Sequence, residues 1–198
     1  MTRRLSLAAN DTFRSLKVRN FKLFFGGQLV SQTGTWLTMI AQTLLVLKLS
    51  HGSGVAVGFL TAFQFGPVLI LGAWAGAVAD RADKRQLLMI VQTLAMVQSF
   101  ALAGMIFSHH ASVPMIYALA AAQGVLTAFD NPCRRAFVVE MVPPAEVSNA
   151  VSLNSAVMTG SRVVGPAAAG VLVLSVGYGW CFALDAVSYL AVLWGLWA

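Results

Sequence analysis

Between residues 23 and 47 an otherwise apolar run carries Gln28, Gln32, Thr35, Met39 and Gln42. On a helix, at about 100° per residue, these five fall within an arc of about 80°. Such a stripe either faces a water-filled cavity or hydrogen-bonds neighbouring helices, each such bond being worth about 0.6 kcal/mol in membrane bundles. Three glutamines in one stripe favour the cavity. Arg162 and Asp185 interrupt two further apolar runs, at about 149–176 and at 180–198. At the middle of a bilayer a permanent charge costs at least about 2.5–3.5 kcal/mol. Arg162 is therefore expected to face inward, toward an anionic side chain or an anionic group of a substrate. Asp185 falls nearer an outer surface, so a direct pair with Arg162 is uncertain; it lines the same path or is a hydrogen-bonded interior group. The stretch "GAVADRADKRQLL" packs Asp80, Arg81, Asp83, Lys84 and Arg85 between two uncharged runs.

The elements that must hold these groups follow from composition. Only 10% of the residues are charged, against roughly 25% in a soluble domain. A helix crosses the hydrocarbon core with about 20 apolar residues. Six runs qualify as candidates: 23–47, 55–79, 86–107, 113–129, about 149–176 and 180–198. The first is too long for the apolar part of a signal peptide, roughly 7–15 residues. The expected fold is all-α: a six-helix transmembrane bundle over 23–198, preceded by a cytoplasmic segment, 1–22.

Charge orients the bundle. Arg3, Arg4, Arg14, Lys17, Arg19 and Lys22 precede the first run, Arg81, Lys84 and Arg85 follow the second, and Arg134 and Arg135 follow the fourth. The opposite loops carry only Lys48. Positive charge marks the cytoplasmic side, so both termini are expected there, in an inner or plasma membrane. The net charge of +6 is thus accounted for without a nucleic-acid partner. Cys133 and Cys181 lack metal-ligand spacing and read as small apolar residues. His51, His109 and His110 fall in outer loops. No nucleophile–base set, metal cluster or phosphate loop is visible, so neither an enzyme nor a cofactor is expected.

Gly66-Pro67 in the second run and Gly165-Pro166 in the fifth stand at matching places in oppositely directed helices. That pattern fits an inverted three-plus-three repeat or two unrelated kinks.

Gly76, Val78, Asp80, Arg81, Lys84 and Arg85 resemble the motif between helices 2 and 3 of the major facilitator superfamily, Gly-x-Leu-x-Asp-Arg-x-Gly-Arg-Lys/Arg. Val78 replaces its Leu, and Asp83 its second Gly. Gly160, Gly165-Pro166 and Gly170 look like a degenerate form of the helix-5 motif of antiporters in that superfamily. Residues 130–170 are similar to its enterobactin-exporter-like branch. In many members an Arg stands three residues before a Gln-Gly pair in helix 4; here Gln123-Gly124 follow Ala120, and either Arg162 takes that role or the coupling differs. The resemblance implies the N-terminal half of a twelve-helix transporter, with a small-molecule substrate, a surrounding lipid bilayer, and a C-terminal six-helix half or a second copy as partner. It implies proton-coupled export of a siderophore-like or drug-like compound by alternating access. Gln28, Gln32, Thr35, Gln42, Arg162 and Asp185 would line the path. Gly76 would let helix 2 approach a neighbour. Asp80 would meet a helix N-terminus in the other half, and Arg81 and Arg85 would pair with Asp130 to latch the cytoplasmic face. The alternative is a non-transporting scaffold or a truncated remnant.

The charge asymmetry makes a prediction. A cysteine placed within 80–86 reacts with an impermeant thiol reagent only from the cytoplasm, and one within 51–54 only from outside. Labelling of both from one side contradicts the six-span reading.

Overall fold

The computed structural model describes residues 14–197. Arg3, Arg4 and the rest of 1–13, and Ala198, lie outside the described residues. Six long helices follow in order: α1 (Arg19–Leu49), α2 (Gly54–Arg81), α3 (Lys84–Phe107), α4 (Val113–Glu140), α5 (Val147–Ser175) and α6 (Tyr178–Trp197). Short 3-10 turns at Arg14–Lys17 and Pro144–Glu146 precede α1 and α5, and the described residues contain no strand. By length and composition α2 to α6 are apolar enough to cross a membrane. α1 has the length, 31 residues, but its glutamines and threonines lower its hydropathy.

The turn between α2 and α3 is set by Asp83. Its carboxylate accepts from the backbone N–H of Gln86 at 2.9 Å and caps α3. A carboxylate in that position satisfies a donor that the helix cannot. Ser53 caps α2 in the same way, accepting from Ala56 N at 3.3 Å.

Two expectations about helix boundaries need correction. α4 runs to Glu140, not to 129. The run "DNPCRR" reads as a loop because it combines a proline with three charges, yet it is helical throughout. Asp130 and Arg134 are one turn apart and neutralise each other inside the bundle. Nor do Gly66-Pro67 and Gly165-Pro166 interrupt their helices, since α2 and α5 continue through Pro67 and Pro166.

The principal packing is pairwise. α2 lies on α4, α5 on α1, α3 on both α4 and α6, and α6 also on α1. Exchanging α1 with α4, α2 with α5 and α3 with α6 leaves this set of neighbours unchanged. Several of the contacts need a residue without a side chain, among them α1–α6, where a Cβ on Gly27 would fall 2.6 Å from the Ala191 carbonyl. A Cβ on Gly165 would fall 2.5 Å from Trp36 Cβ and 2.9 Å from the Thr33 carbonyl of α1. A Cβ on Gly124 would fall 2.6 Å from the Gln64 carbonyl of α2, next to Pro67. Small residues let backbones approach this closely where lipid provides no hydrophobic drive to association. Gly76, by contrast, has no atom within 4 Å of a Cβ position, and neither do Gly72, Gly160 and Gly170. The expected close approach of α2 through Gly76 is therefore absent in this chain.

The apolar core divides in two. One cluster, including Leu45, Leu60, Leu102, Ile116 and Phe182, gathers the ends of the helices at the 50–54, 108–112 and 176–177 links. The other, including Phe21, Phe24, Leu88, Val138, Leu153 and Val192, gathers the opposite ends. Between them lie buried polar residues, Gln28, Gln92, Asp130, Arg134, Asp185 and others, interleaved with small or apolar ones such as Val91, Ala95 and Ala128.

Candidate functional site

The polar middle layer is built on α1 and α4 and backed by α3 and α6. On α4, Arg134 is only 2% exposed and forms an ion pair with Asp130. The other Asp130 oxygen accepts from Gln92 Nε2 of α3 at 2.7 Å. With its amide oxygen turned toward α4, Gln32 of α1 accepts from Arg134 Nη1 and Nη2 at 2.5 and 3.1 Å. A buried pair is costly unless its remaining donors and acceptors are also met; these two amides meet one Asp130 oxygen and both terminal guanidinium nitrogens, and leave Arg134 Nε without a protein partner. Thr35 Oγ1 lies 3.2 Å from the hydroxyl of Tyr189 on α6. Higher on α1, Gln42 accepts from Gln64 Nε2 of α2 at 2.9 Å.

Asp185 is 1% exposed. Its Oδ2 accepts from Thr38 Oγ1 of α1 and Ser99 Oγ of α3, each at 2.8 Å. It does not meet Arg162. Two adjoining cavities open beside these groups. One is bordered by Gln32, Asn131, Arg134 and Tyr189, the other by Met39, Gln42, Gln64 and Asp185, and Thr35, Gln123 and Thr127 belong to both.

Several buried polar atoms here lack a protein partner: both amide atoms of Gln28, Gln42 Nε2, Gln92 Oε1, Gln123 Oε1, Arg134 Nε and Asp185 Oδ1. Leaving one such group unsatisfied costs about 1–3 kcal/mol. Their concentration in one layer marks a place made to hold water or a polar ligand, not a sealed core. The stripe on α1 is thus part cavity wall and part interhelical bonding.

Arg162 is placed differently from expectation. It is exposed, and its guanidinium lies over the Trp36 ring, 5.3 Å from the centroid. No carboxylate is within ion-pair distance of it among the described residues. α5 touches mainly α1, and its remaining faces carry exposed Val163, Val164, Val171 and Leu174. Arg162 therefore opens onto the uncovered side of α5.

The charged cluster at the α2–α3 turn also departs from expectation. Asp130 does not pair with Arg81 or Arg85. Lys84 Nζ binds Glu140, the last residue of α4, at 2.9 Å. Arg85 donates to the carbonyls of Leu196 and Trp197, at 2.5 and 2.7 Å, and so caps the end of α6. Asp80 and Arg81 are exposed at the same end. Because α4 is longer than expected, Glu140 reaches this cluster while Asp130 sits about 15 Å deeper, at 1.5 Å per residue. Arg134, Gln92 and Tyr189 were not placed in the site from sequence, and Gln123 was noted there only as part of the Gln-Gly pair. The four-residue spacing of Asp130 and Arg134 is the signal that could have found the first.

Residues 10–198 match the family described as transmembrane secretion effector, a branch of the major facilitator superfamily. The chain belongs to this family. Its members are transporters, not enzymes. This member of the family is 32% identical to the "Staphyloferrin A transporter" of Staphylococcus aureus over 87% of its own length and 44% of the relative's. It is 25% identical to the "Uncharacterized MFS-type transporter YfiS" of Bacillus subtilis, over 82% of its length and 36% of the relative's. "Multidrug resistance protein 2" of Bacillus subtilis is 28% identical over 63% and 30%. The chain thus spans less than half the length of these curated relatives. No solved structure matches it significantly.

The buried pair yields a stability prediction. Arg134→Ala leaves Asp130 buried without its counter-charge and lowers unfolding stability by about 3–5 kcal/mol. Asp130→Asn combined with Arg134→Gln recovers most of that loss in detergent unfolding titrations. Equal losses in single and double variants contradict a coupled pair.

Proposed function

We propose that this chain is the N-terminal half of a secondary active transporter that exports a small molecule in exchange for protons. The carrying observation is the layer of buried polar groups, held between two apolar clusters, in a member of a transporter family. Gln28, Gln32, Thr35, Gln42 and Asp185 form its inner wall, and Arg162 presents a cation from α5. The printed names of the relatives, a staphyloferrin A transporter and a multidrug resistance protein, support a siderophore-like or drug-like cargo.

The neighbour exchange that relates α1–α3 to α4–α6 supports an inverted three-plus-three repeat, the architecture in which one bundle rocks against another in alternating access. Gly165 and Pro166 hold the α5 side of that repeat against α1. Gly160 and Gly170 face away from the packed interior, as Gly72 and Gly76 do on α2. These uncovered faces of α2 and α5, with exposed Phe59, Leu69, Ile70 and Trp74 on the former, fit a second six-helix half or a second copy. Exposed Asp80 and Arg81 suit a latch to that partner, while Lys84 and Arg85 tie the turn to α4 and α6. Both termini lie in the cytoplasm, in an inner or plasma membrane.

The test uses inside-out vesicles from cells expressing the chain within its full reading frame. Vesicles acidified inside accumulate staphyloferrin A or the dye ethidium, and collapsing the proton gradient stops this. Asp80→Asn reduces the initial rate several-fold at equal expression. Arg162→Ala weakens apparent affinity for staphyloferrin A, and Arg162→Lys weakens it less, with the melting temperature unchanged. Gradient-independent uptake of both probes, or none, contradicts the proposal.

A further inference from the structure

The structure contains one buried carboxyl group without a cation. Asp185 sits at the junction of α1, α3 and α6, and no lysine, arginine or histidine lies within ion-pair distance of it among the described residues. Asp130, the other buried acid, already has Arg134. Around Asp185 every neighbour is neutral or only weakly acidic. α1 contributes Gly34, Thr38 and Gln42, α3 contributes Ser99, and α6 itself contributes Ser188, whose hydroxyl donates to the Asp185 backbone carbonyl. On its own helix the nearest titratable groups are Cys181 one turn before and Tyr189 one turn after. α2 and α4 offer Gln64, Gln123 and Thr127 across the cavity.

Three details make this more than a satisfied core residue. Oδ2 takes two hydroxyl hydrogen bonds, while Oδ1 is buried with no partner. Oδ1 points at α1 where Gly34 leaves room: a Cβ there would lie 2.5 Å from Oδ1 and 2.8 Å from Ser188 Oγ. Asp185 also borders the cavity that continues, through Thr35, Gln123 and Thr127, to the Asp130–Arg134 pair. A hydroxyl can donate or accept, so Thr38 and Ser99 suit either protonation state. No neighbour compensates a negative charge, and an isolated buried carboxylate is strongly disfavoured. Loss of its proton therefore requires water to enter or the three helices to move apart.

We propose that Asp185 is the seat of the exchanged proton: it holds a proton in the packed arrangement described here and releases it when the α1–α3–α6 junction opens to water. This rests on the proton-coupled reading above and adds to it a residue, a location and a link between proton release and helix packing. Asp130 is excluded from the role by its ion pair with Arg134.

The experiment has two arms, both on the protein reconstituted in lipid. The first follows the infrared carbonyl band of protonated carboxyl groups during a pH titration. A band that disappears as pH rises, is absent in Asp185→Asn and persists in Asp130→Asn is the expected result. Ser99→Ala and Thr38→Val keep the band but move its midpoint, which a fold-disrupting change does not do. A titrating band unaffected by Asp185→Asn, or abolished by Asp130→Asn instead, overturns the proposal. The second arm measures movement of staphyloferrin A. Asp185→Asn loses the acceleration that an imposed proton gradient gives the wild type. Full acceleration in that variant overturns the proposal. If the wild type moves none of this compound while the Asp185 band still titrates, the cargo reading has failed and the proton site stands.

Discussion

Asp130 and Arg134 place a full negative and a full positive charge inside a bundle whose outer faces are apolar. Neither could stay there alone. They persist because a four-residue spacing on α4 brings them together, and because Gln92 from α3 and Gln32 from α1 bond to Asp130 and Arg134 in turn. Three helices are thereby fixed in rotation: α4 must turn Arg134 inward, α1 must turn its glutamine stripe to meet it, and α3 must present Gln92. The rest of the polar layer follows from that orientation. Thr35 then faces Tyr189, Thr38 faces Asp185, and Gln42 faces Gln64.

The layer stays confined because each end of the bundle is closed by an apolar cluster. In lipid, burial of apolar side chains gives little drive to helix association, so close backbone approach and internal hydrogen bonds do that work. Gly124 of α4 against α2 and Gly165 of α5 against α1 supply the approach at two of these contacts. At the end of the bundle that carries the α2–α3 turn, Lys84 with Glu140 and Arg85 with the last carbonyls of α6 tie that turn to two other helices. The turn's charges therefore brace this half of the molecule as well as leaving Asp80 and Arg81 free to meet another surface.

Much of this was legible in the sequence. Long uncharged runs give six helices because a membrane span needs length and apolarity and little else. The stripe on α1 follows from a 3.6-residue period. The partners of that stripe did not, because Gln86, Gln92 and Gln98 recur on α3 every six residues, a spacing that marks no single face, and periodicity cannot say which neighbour a single amide meets. The end of α4 was misplaced for a related reason. Charges and Pro132 look like a loop until the i,i+4 pairing of Asp130 with Arg134 is counted, and that error moved Arg134 out of the interior and put Asp130 in the charged turn, where Glu140 binds Lys84 instead. Arg162 was expected to be inside because a charge in an apolar run must avoid lipid. α5 instead carries it on a face that this chain leaves uncovered, stacked on Trp36, and no single-helix argument separates those two ways of avoiding lipid.

The central claim is that the middle layer is a hydrated path and not a dry polar core. Thiol accessibility tests it most directly. With Cys133 and Cys181 replaced by alanine, Gln123→Cys and Thr127→Cys sit where the two cavities meet, and Leu94→Cys sits on the exposed apolar side of α3. In lipid, a charged, impermeant thiol reagent is predicted to modify positions 123 and 127 and to leave 94 untouched. Unreactive cysteines at 123 and 127, in protein whose loop cysteines label fully, would contradict the account.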